Sequence, residues 1–282
     1  MTVFDLPSTE RLLRAAFDED LGYGDVTTRL TVPAKARARA QITAKEQAVI
    51  AGVPLVRRVC RLVDHAIEIE ELVEDGAHVV AGDVLVKLRG NAHALLALER
   101  VALNLLQHLC GVATLTADYV HQVSGCGCRI VDTRKTLPGL RALEKYAVRT
   151  GGGFNHRMGL DDGILIKDNH IAAAGGIAAA VAAAQAGAPH GLKVEVECTN
   201  LSEVSEALHA GAEMILLDNM TLDEIRQAVR RIAGRALVEA SGGITMEGVR
   251  AIAETGVDII SIGKLTHSAP AIDLSMKLSA DL

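Results

Sequence analysis

The feature that most constrains the fold is a repeat of short apolar strands separated by helix-like segments, from about residue 129 onward. The strand patterns are "RIVD" (129–132), "ILIK" (164–167), "KVEVE" (193–197), "EMILLD" (213–218), "ALVEA" (236–240) and "DIISIG" (258–263). Gly211, Gly234 and Gly256 follow helical patterns, where a helix-ending glycine is expected. Right-handed βα crossovers bring such strands together in one parallel sheet.

The polar residues inside these strands distinguish an open sheet from a closed one. Strands that are buried on both faces of an open sheet are uniformly apolar. In "KVEVE", however, Lys193, Glu195 and Glu197 lie on one face and valines on the other, and Glu239 breaks "ALVEA" in the same way. A polar inner face with helices outside favours an α/β barrel.

The N-terminal part has a different pattern, which predicts a smaller α+β domain. A helix is expected over 8–19, a strand over 37–52 and an amphipathic helix over 53–64, and "AIEIEELV" and "DVLVKLRG" read as further strands. The segment "EDGAHVVAGDVLVKLRG" resembles the turns of lipoyl or biotin carriers. Because it has no lysine in a modifiable hairpin, a structural hairpin is the better interpretation.

A long helix is predicted over roughly 91–123. Its residues Arg100, Asn104, Gln107 and His108 are spaced i, i+4, i+7 and i+8, so they share one face. The face is either a solvated stripe or an interface. Asn and Gln are unusual on a purely solvated face, where Glu and Lys are common, which favours an interface or a functional role.

Composition excludes several classes of function. A net charge of −6 and only 2% aromatic residues argue against a general nucleic-acid binder. No signal peptide is visible at the N-terminus, and the Ala- and Gly-rich run 171–188 reads as a helix of a soluble protein. Five cysteines without such a signal predict reduced thiols in a cytoplasmic protein, and the Cys126 and Cys128 spacing does not suit a zinc pair.

In a barrel of this kind, reacting groups gather at the carboxyl ends of the strands. Read in order, those ends present basic residues, acidic residues and two glycine-containing turns: Thr133, Arg134, Lys135, Lys167, Glu197, Asp218, Ser241, Gly242, Gly243, Ser261, Ile262 and Gly263. The turns 241–243 and 261–263 let backbone N–H groups approach a phosphate.

Cations concentrate around a glycine run at 151–153, although the chain as a whole is acidic. The group consists of Arg134, Lys135, His156, Arg157 and Lys167. Any one of them could form a surface salt bridge, but together they predict a site for a ligand with several negative groups. Glu197 and Asp218 would then serve Mg²⁺ or a ribose diol, or would merely balance the lysines.

The segment "DTRKTLPGLRALEKYAVRTGGGFNHRMGLDDGILIKDNH" (132–170) resembles the signature of the quinolinate phosphoribosyltransferase family. "EDLGYGDVTT", "ERVALNLLQHLCGVATLT", "VEASGGIT" and "GVDIISIGKLTHSAPAIDLSMKL" are similar to that family too. The resemblance implies an N-terminal open α/β sandwich and an incomplete seven-stranded α/β barrel. We expect the first domain over 1–112, with the tail 270–282 packing back on it, and the barrel over 113–269.

The resemblance also implies a reaction. Quinolinate and 5-phosphoribosyl-1-pyrophosphate would give nicotinate mononucleotide, pyrophosphate and CO₂, with Mg²⁺, in NAD biosynthesis. The family forms dimers at least, or hexamers, and each site borrows groups from the partner subunit. Arg100 matches the arginine that is lent in this way.

Residue roles follow from the same resemblance. Quinolinate would contact Arg134, His156, Arg157, Lys167 and the partner's lent arginine, with Lys135 on the pyrophosphate side of the donor. Thr133 is expected among the substrate-binding residues. Glu197 and Asp218 would serve the ribose hydroxyls and the metal, and the turns Ser241, Gly242, Gly243 and Ser261, Ile262, Gly263 would hold the 5′-phosphate. Lys135, Lys167, Glu197 and Asp218 are the expected catalytic residues.

Three alternatives remain open. A paralogous group linked to molybdenum transport shares "DTRKT" but tends to lose the cationic set that is intact here. A Schiff-base aldolase would use Lys167 as its nucleophile. A non-catalytic sensor would bind phosphoribosyl ligands without releasing pyrophosphate.

Overall fold

The computed structural model describes residues 2–281, and the chain forms two compact units. The first unit contains the chain up to Ala117, Thr136–Gly152 and the chain from Leu265 onward. The second unit contains Asp118–Lys135 and Gly153–Lys264. Each unit therefore consists of more than one segment of the chain. The sequence predicted a single domain boundary at 112/113, and that boundary stays a prediction.

The helices, in chain order, are α1 (Pro7–Leu21), α2 (Val26–Thr31), α3 (Val53–Val63), α4 (Ala92–Gln122), α5 (Arg141–Thr150), α6 (Asp168–Ala174), α7 (Ile177–Gly187), α8 (Leu201–His209), α9 (Leu222–Ile232), α10 (Val249–Ala253) and α11 (Lys264–His267). A 3₁₀ turn, Val3–Asp5, precedes α1. The predicted helices over 8–19, 53–64 and 91–123 correspond to α1, α3 and α4.

The strands are β1 (Arg37–Ala44), β2 (Ala48–Val49), β3 (Glu68–Glu71), β4 (His78–Val79), β5 (Val84–Asn91), β6 (Arg129–Val131), β7 (Ile164–Ile166), β8 (Val194–Cys198), β9 (Met214–Asp218), β10 (Leu237–Ser241), β11 (Ile259–Ser261) and β12 (Leu274–Ala280). The six strand patterns read from the sequence beyond residue 129 correspond to β6 through β11.

The first unit is built on a four-stranded antiparallel sheet in the order β12-β1-β5-β3. Along β1, Ala38, Ala40 and Ile42 are buried while Arg39 and Gln41 are exposed. This period of two places one face of the sheet on a core and the other in solvent, as is common for antiparallel sheets.

The predicted strand over 37–52 is wrong in its length. β1 ends at Ala44, and β2 pairs with β4 in a separate two-stranded sheet. The backbone turns at this point, because Lys45 N donates to the Asp273 carbonyl and Asp273 N donates to the Glu46 carboxylate. The sequence does show this break, because Lys45, Glu46 and Gln47 are three consecutive polar residues, and the predicted strand ran across them.

The second unit contains a six-stranded parallel sheet in the order β6-β11-β10-β9-β8-β7. Helices follow the strands, which confirms the predicted α/β arrangement. Gly211, after α8, has φ +84, a backbone conformation that favours glycine at a helix end. Beyond the six strands, Phe154 forms a parallel bridge with Val131 of β6.

One helix in the described part of the chain, α4, is long and apolar enough to cross a bilayer, and 56% of its most apolar window is buried inside the protein. Core helices of soluble proteins have the same properties. α6 and α7 would pass the same test only as one span, and the chain bends by 90° between them.

Candidate functional site

The register of the parallel sheet brings the predicted residues to one face. Glu197 is paired with Leu216, and Ser241 is paired with Asp218. Paired residues point to the same side, and side chains alternate along each strand. Glu197, Asp218 and Ser241 therefore share one face, at the carboxyl ends of β8, β9 and β10.

Two direct contacts extend this arrangement to the other strands. Lys167 Nζ, just beyond β7, lies 2.6 Å from Glu197 Oε2. Ser261 Oγ, at the end of β11, donates to Ser241 Oγ over 2.9 Å. We call Lys167, Glu197, Asp218, Ser241 and Ser261 the carboxyl rim. Five residues predicted from separate strand ends thus lie at one edge of one sheet face.

The Lys167–Glu197 pair also bears on the chemistry of Lys167. A lysine that attacks a carbonyl must be neutral, and it is usually activated by an apolar or cationic environment. Lys167 has neither kind of environment, since its Nζ lies 2.6 Å from a carboxylate oxygen of Glu197 and its side chain is 44% exposed. The environment of Lys167 therefore opposes the Schiff-base alternative and suits the binding of an anion.

The loop after β6 carries two of the predicted cations. Thr133 Oγ1 accepts a hydrogen bond from Lys135 N at 3.0 Å, which folds the loop back on itself, and Arg134 and Lys135 are exposed. Burial, and after it the positive charge of Arg134, lowers the pKa of the Arg157 guanidinium. Arg134 and Arg157 are therefore near enough to repel each other, as expected where two cations await one polyanion.

His156 lies deeper, with both ring nitrogens turned toward protein groups. Its Nδ1 accepts from Arg157 N at 2.7 Å, so Nε2 carries the proton in the neutral ring. That Nε2 lies 3.2 Å from Glu195 Oε2 and 3.7 Å from Glu239 Oε2. The predicted contact of His156 with quinolinate would require the ring to turn away from these partners.

Glu195 and Glu239 form a buried acidic pair on the inner face, 3% and 1% exposed. Burial, followed by the charge of Glu195, raises the pKa of Glu239 to about 8, and His156 opposes the shift. Both carboxyl oxygens of Glu239 and Oε1 of Glu195 have no hydrogen-bond partner among the described residues. Burial and the adjacent carboxylate both disfavour a negative charge on Glu239, which is the physical cause of this raised pKa.

His156, Glu195 and Glu239 also form a group with metal-ligand spacing, with ligand atoms within 4.8 Å of one another. The imidazole tautomer opposes a metal there, because Nε2 bears a proton instead of a lone pair. Magnesium was predicted elsewhere, on Glu197 and Asp218. These two carboxylates offer the oxygen donors that Mg²⁺ prefers.

A cavity of about 520 Å³ opens in the second unit. Its lining includes His156, Arg157 and Glu195 together with Met214 and Ile259, the first residues of β9 and β11. The carboxyl rim does not line it. The cavity therefore extends toward the amino ends of the strands, and both cationic and acidic side chains line it.

The two turns predicted to hold a phosphate differ from each other. Gly242 and Gly243 have φ +86 and +60, and a Cβ on Gly242 would clash with the Asn219 side chain. Only glycine gives this close backbone approach. In the second turn, Ile262 is buried and its N–H donates to Val131 O at 3.0 Å within the sheet. The N–H of Ile262 therefore already has an acceptor within the sheet and is not available to a phosphate. Gly263 is the next residue of this turn.

The polar face predicted for α4 divides into two parts. Arg100 and Asn104 are exposed, and Arg100 pairs with the neighbouring Glu99 at 2.9 Å. Gln107 and His108, in contrast, make hydrogen bonds within the first unit, to Leu274 O at 3.0 Å and to Glu144 at 2.8 Å. Only the Arg100 end is available for a role outside its own unit.

Sequence reasoning assigned no role to several residues that shape the site. Asp132 is fully buried and its Oδ1 accepts from His156 N at 3.0 Å, and Asn219, at φ +54, donates to Asp218 Oδ2 at 2.9 Å. Glu195 and Glu239 were recognised only as polar residues of the inner face. Their alternation with valines was a signal, but their shared partner His156 comes from a distant segment.

The family models that match this chain cover nearly all of it. The quinolinate phosphoribosyl transferase N-terminal domain matches residues 25–110, and the C-terminal domain of that family matches residues 112–277. The chain therefore belongs to the quinolinate phosphoribosyltransferase family.

Individual relatives agree with this assignment. The chain is 46% identical, over 92% of its length and 89% of the relative's, to a probable nicotinate-nucleotide pyrophosphorylase [carboxylating] of Synechocystis. A nicotinate-nucleotide pyrophosphorylase [carboxylating] of Mycobacterium leprae is 44% identical, with coverage of 94% and 95%. The solved structure of NadC from Streptococcus pyogenes is 43% identical, with a TM-score of 0.92 and coverage of 96% for each chain.

Proposed function

We propose that this protein transfers the phosphoribosyl group of 5-phosphoribosyl-1-pyrophosphate to quinolinate with loss of CO₂, giving nicotinate mononucleotide and pyrophosphate for NAD biosynthesis. The carboxyl rim is the observation that carries the proposal. A lysine, two carboxylates and two serine hydroxyls from five separate strand ends meet there on one sheet face, in a chain whose relatives bear the name of this enzyme.

The proposal includes a finer description of the fold. We take the sheet to be an incomplete seven-stranded α/β barrel, with the extended segment at Phe154 as the additional strand beside β6. The Val131–Phe154 bridge and the Phe154 N–H bond to Ile130 O, 2.9 Å, support this view. The division at 112/113 is supported by the family models, which meet at 110 and 112.

In the proposed mechanism, Arg134, Arg157 and Lys167 hold the two carboxylates of quinolinate and orient the ring. The pyridine nitrogen is already nucleophilic, so no activating base is needed for its attack on the anomeric carbon. That carbon passes through an oxocarbenium-like state. Lys135 stabilises the charge that develops on the departing pyrophosphate.

Magnesium fits the donors of the rim in part. Glu197 Oε2 is held by Lys167, and Asp218 Oδ2 accepts from Asn219, so one oxygen of each carboxylate is engaged. The second oxygens would be available to the ribose hydroxyls or would help to hold a divalent cation. When bound, Mg²⁺ would neutralise charge on the pyrophosphate.

Loss of CO₂ follows transfer, because the ring nitrogen is then positive and stabilises the electron pair left at C2. The 5′-phosphate would lie at the Ser241–Gly243 turn and near Gly263. The proton for C2 is unassigned between Lys167 and His156. Since both His156 ring nitrogens face protein groups, the geometry favours Lys167.

We further propose a cytoplasmic homo-oligomer, a dimer at least, in which Arg100 of one subunit completes the site of the other. The exposure of Arg100 supports such a role. Free, buried thiols are compatible with the cytoplasm. Burial raises the pKa of Cys60, Cys110 and Cys198 to about 12, so these thiols are unreactive.

The direct test follows the consumption of quinolinate with the phosphoribosyl donor and Mg²⁺, with nicotinate as the control substrate. We expect turnover of quinolinate and release of one pyrophosphate per CO₂. Preference for nicotinate would contradict the proposed substrate. Ligand binding without pyrophosphate release would indicate a sensor, and a borohydride-trapped adduct on Lys167 would indicate an aldolase.

A further inference from the structure

We propose that Asn219 is a positioning residue that holds the Asp218 carboxylate and the turn 241–243 in a fixed arrangement for the phosphoribosyl donor. The inference rests on the proposed function, in which Asp218 faces the ribose hydroxyls and the turn holds the 5′-phosphate. The sequence assigned no role to Asn219, and all of these residues belong to the second unit.

The backbone places Asn219 where two neighbouring strands end. Ser241, the last residue of β10, is paired with Asp218, the last residue of β9. Asn219 N then donates to Ser241 O at 2.9 Å, which continues the pairing one residue beyond β9. At φ +54, Asn219 has a left-handed backbone, which asparagine adopts more readily than most residues. The chain therefore bends at Asn219, directly beside the start of the turn 241–243.

The side chain of Asn219 contacts both of these neighbours. Its Nδ2 donates to Asp218 Oδ2 at 2.9 Å. Its amide group also lies against Gly242, because a Cβ added to that glycine would come within 2.8 Å of Oδ1, Cγ and Nδ2 of Asn219. One amide group thus joins the carboxylate at the end of β9 to the glycine turn after β10.

These contacts matter more for binding the donor than for folding. Asp218 is half-buried and Asn219 is exposed, so the hydrogen bond between them adds little to stability. Without the amide, however, the carboxylate would rotate, and the turn at Gly242 would lose the side chain that packs on it. A donor that contacts both points would then have to order them on binding, which reduces affinity. Binding of quinolinate, which would be held by cations at other strand ends, should not change.

Asn219→Gly is the main test variant. Glycine adopts φ +54 without steric cost, so the substitution removes both side-chain contacts and keeps the backbone conformation. We expect kcat/KM for the phosphoribosyl donor to fall by about three- to tenfold through a higher donor KM. KM for quinolinate at saturating donor should stay at the wild-type value. A general loss of folded enzyme would instead lower kcat and leave both KM values unchanged.

Ala233→Gly is the matched control, because Ala233 is the other non-glycine residue with a positive φ, +50, among residues 2–281. Ala233 ends α9, which leads to the amino end of β10, whereas the turn 241–243 follows the carboxyl end of that strand. Glycine relieves the backbone at 233 as it does at 219. Both KM values and kcat should stay at wild-type values, which separates relief of the backbone from loss of the Asn219 side chain.

A cycle of melting temperatures with Gly242→Ala tests the contact without any substrate. The three atoms nearest to a Cβ on Gly242 all belong to Asn219, so the clash should disappear when the Asn219 side chain is removed. Gly242→Ala should therefore lower the melting temperature less in the Asn219→Gly background than in wild type. The loss that remains would come from the φ of +86 at this position.

The inference is overturned if Asn219→Gly leaves kcat/KM for the donor unchanged, or if the losses in melting temperature from the two glycine-turn variants simply add. An equal rise in the KM values of the donor and of quinolinate would likewise contradict a role at the donor site. If the wild-type protein does not release pyrophosphate with quinolinate, the proposed function fails, whereas the cycle still decides whether Asn219 packs on the turn.

Discussion

Glu144 in the first unit and Glu239 in the second are both fully buried glutamates, but their surroundings are opposite. Glu144 has a hydrogen-bond partner on each oxygen, whereas Glu239 has none among the described residues and lies beside a second carboxylate. A buried carboxylate that serves only stability is expected to be satisfied. The buried carboxyl oxygens without a partner, Glu195 Oε1 and both oxygens of Glu239, therefore distinguish the inner face of the parallel sheet from the core around Glu144.

The two units can also be compared through one ion pair in each, Lys167–Glu197 in the second unit and Lys87–Glu70 in the first. Of all the comparisons, breaking these two pairs should give the largest difference in catalytic activity. Lys167→Ala would leave Glu197 without its partner and remove a cation that holds quinolinate. We expect kcat/KM to fall by more than about 100-fold. Steady-state kinetics at saturating phosphoribosyl donor would measure the effect.

Lys87→Ala is the matched control in the antiparallel sheet. Lys87 and Glu70 are exposed and lie 3.4 Å apart, a surface pair that contributes about 0–1 kcal/mol. Activity and melting temperature should both stay close to wild type. Equal kinetic losses in the Lys87 and Lys167 variants would remove the distinction between the two units.

A second comparison uses glycines with positive φ. Gly242→Ala combines an unfavourable φ of +86 with a clash against Asn219, and should cost about 2–4 kcal/mol of stability together with weaker binding of the phosphoribosyl donor. Gly82→Ala, at φ +100 with open space around it, should cost only about 1 kcal/mol and leave KM unchanged. Denaturant unfolding and donor KM values would check both variants; equal costs would show that the turn does not need its close approach.

The raised pKa of Glu239 predicts a dependence of stability on pH. The folded state retains a proton between pH 4.5, the ordinary value, and about 8, whereas the unfolded state has released it. The free energy of unfolding should therefore fall with rising pH across this window, by up to about 1.4 kcal/mol per pH unit from this group. Glu239→Gln should remove that part of the slope. A variant curve parallel to wild type would show that Glu239 is ionised in the folded protein.

Asp281 in the first unit should make the free energy of unfolding depend on pH in the opposite direction to Glu239. We expect this to be the smallest of the predicted effects. Hydrogen bonds from Arg89 and Arg39 lower the pKa of its carboxyl. Its contribution to stability is present above the ordinary value of 3.8 and is lost as the pH falls through the lowered pKa. Asp281→Asn should therefore weaken the protein at neutral pH and converge with wild type in acid. Thermal unfolding between pH 2 and pH 7 would test this, and a constant difference would contradict it.

Much of this architecture could be predicted because it depends on local patterns. Alternation in "KVEVE" and the short apolar run in "EMILLD" indicated strands, and glycines such as Gly211 indicated helix ends. The carboxyl rim followed, since the ends of parallel strands meet at one edge. The structure places the residues that were predicted from these local patterns at the carboxyl ends of the parallel strands, as expected.

What escaped prediction depends on contacts between distant segments. The carboxylate of residue 144 forms hydrogen bonds with residue 108 and with the backbone N–H of Leu137. The cluster around His156 likewise brings together three separate segments of the chain. Spacing in the sequence carries no information on such distances or on the tautomer of a histidine. The end of β1, in contrast, could have been found from the sequence, because three consecutive polar residues interrupt the alternation at 45–47. Hydrogen bonds to Glu46 and Asp273 stabilise the turn there.

The central claim is that cations from separate strand ends act together on one dianionic ligand. Isothermal titration of quinolinate into wild type, Arg134→Ala, Lys167→Ala and the double variant tests it most directly. We predict that each single change weakens binding by about tenfold or more, and that nicotinate, with one carboxylate, loses less. Unchanged quinolinate affinity in all three variants would contradict the account.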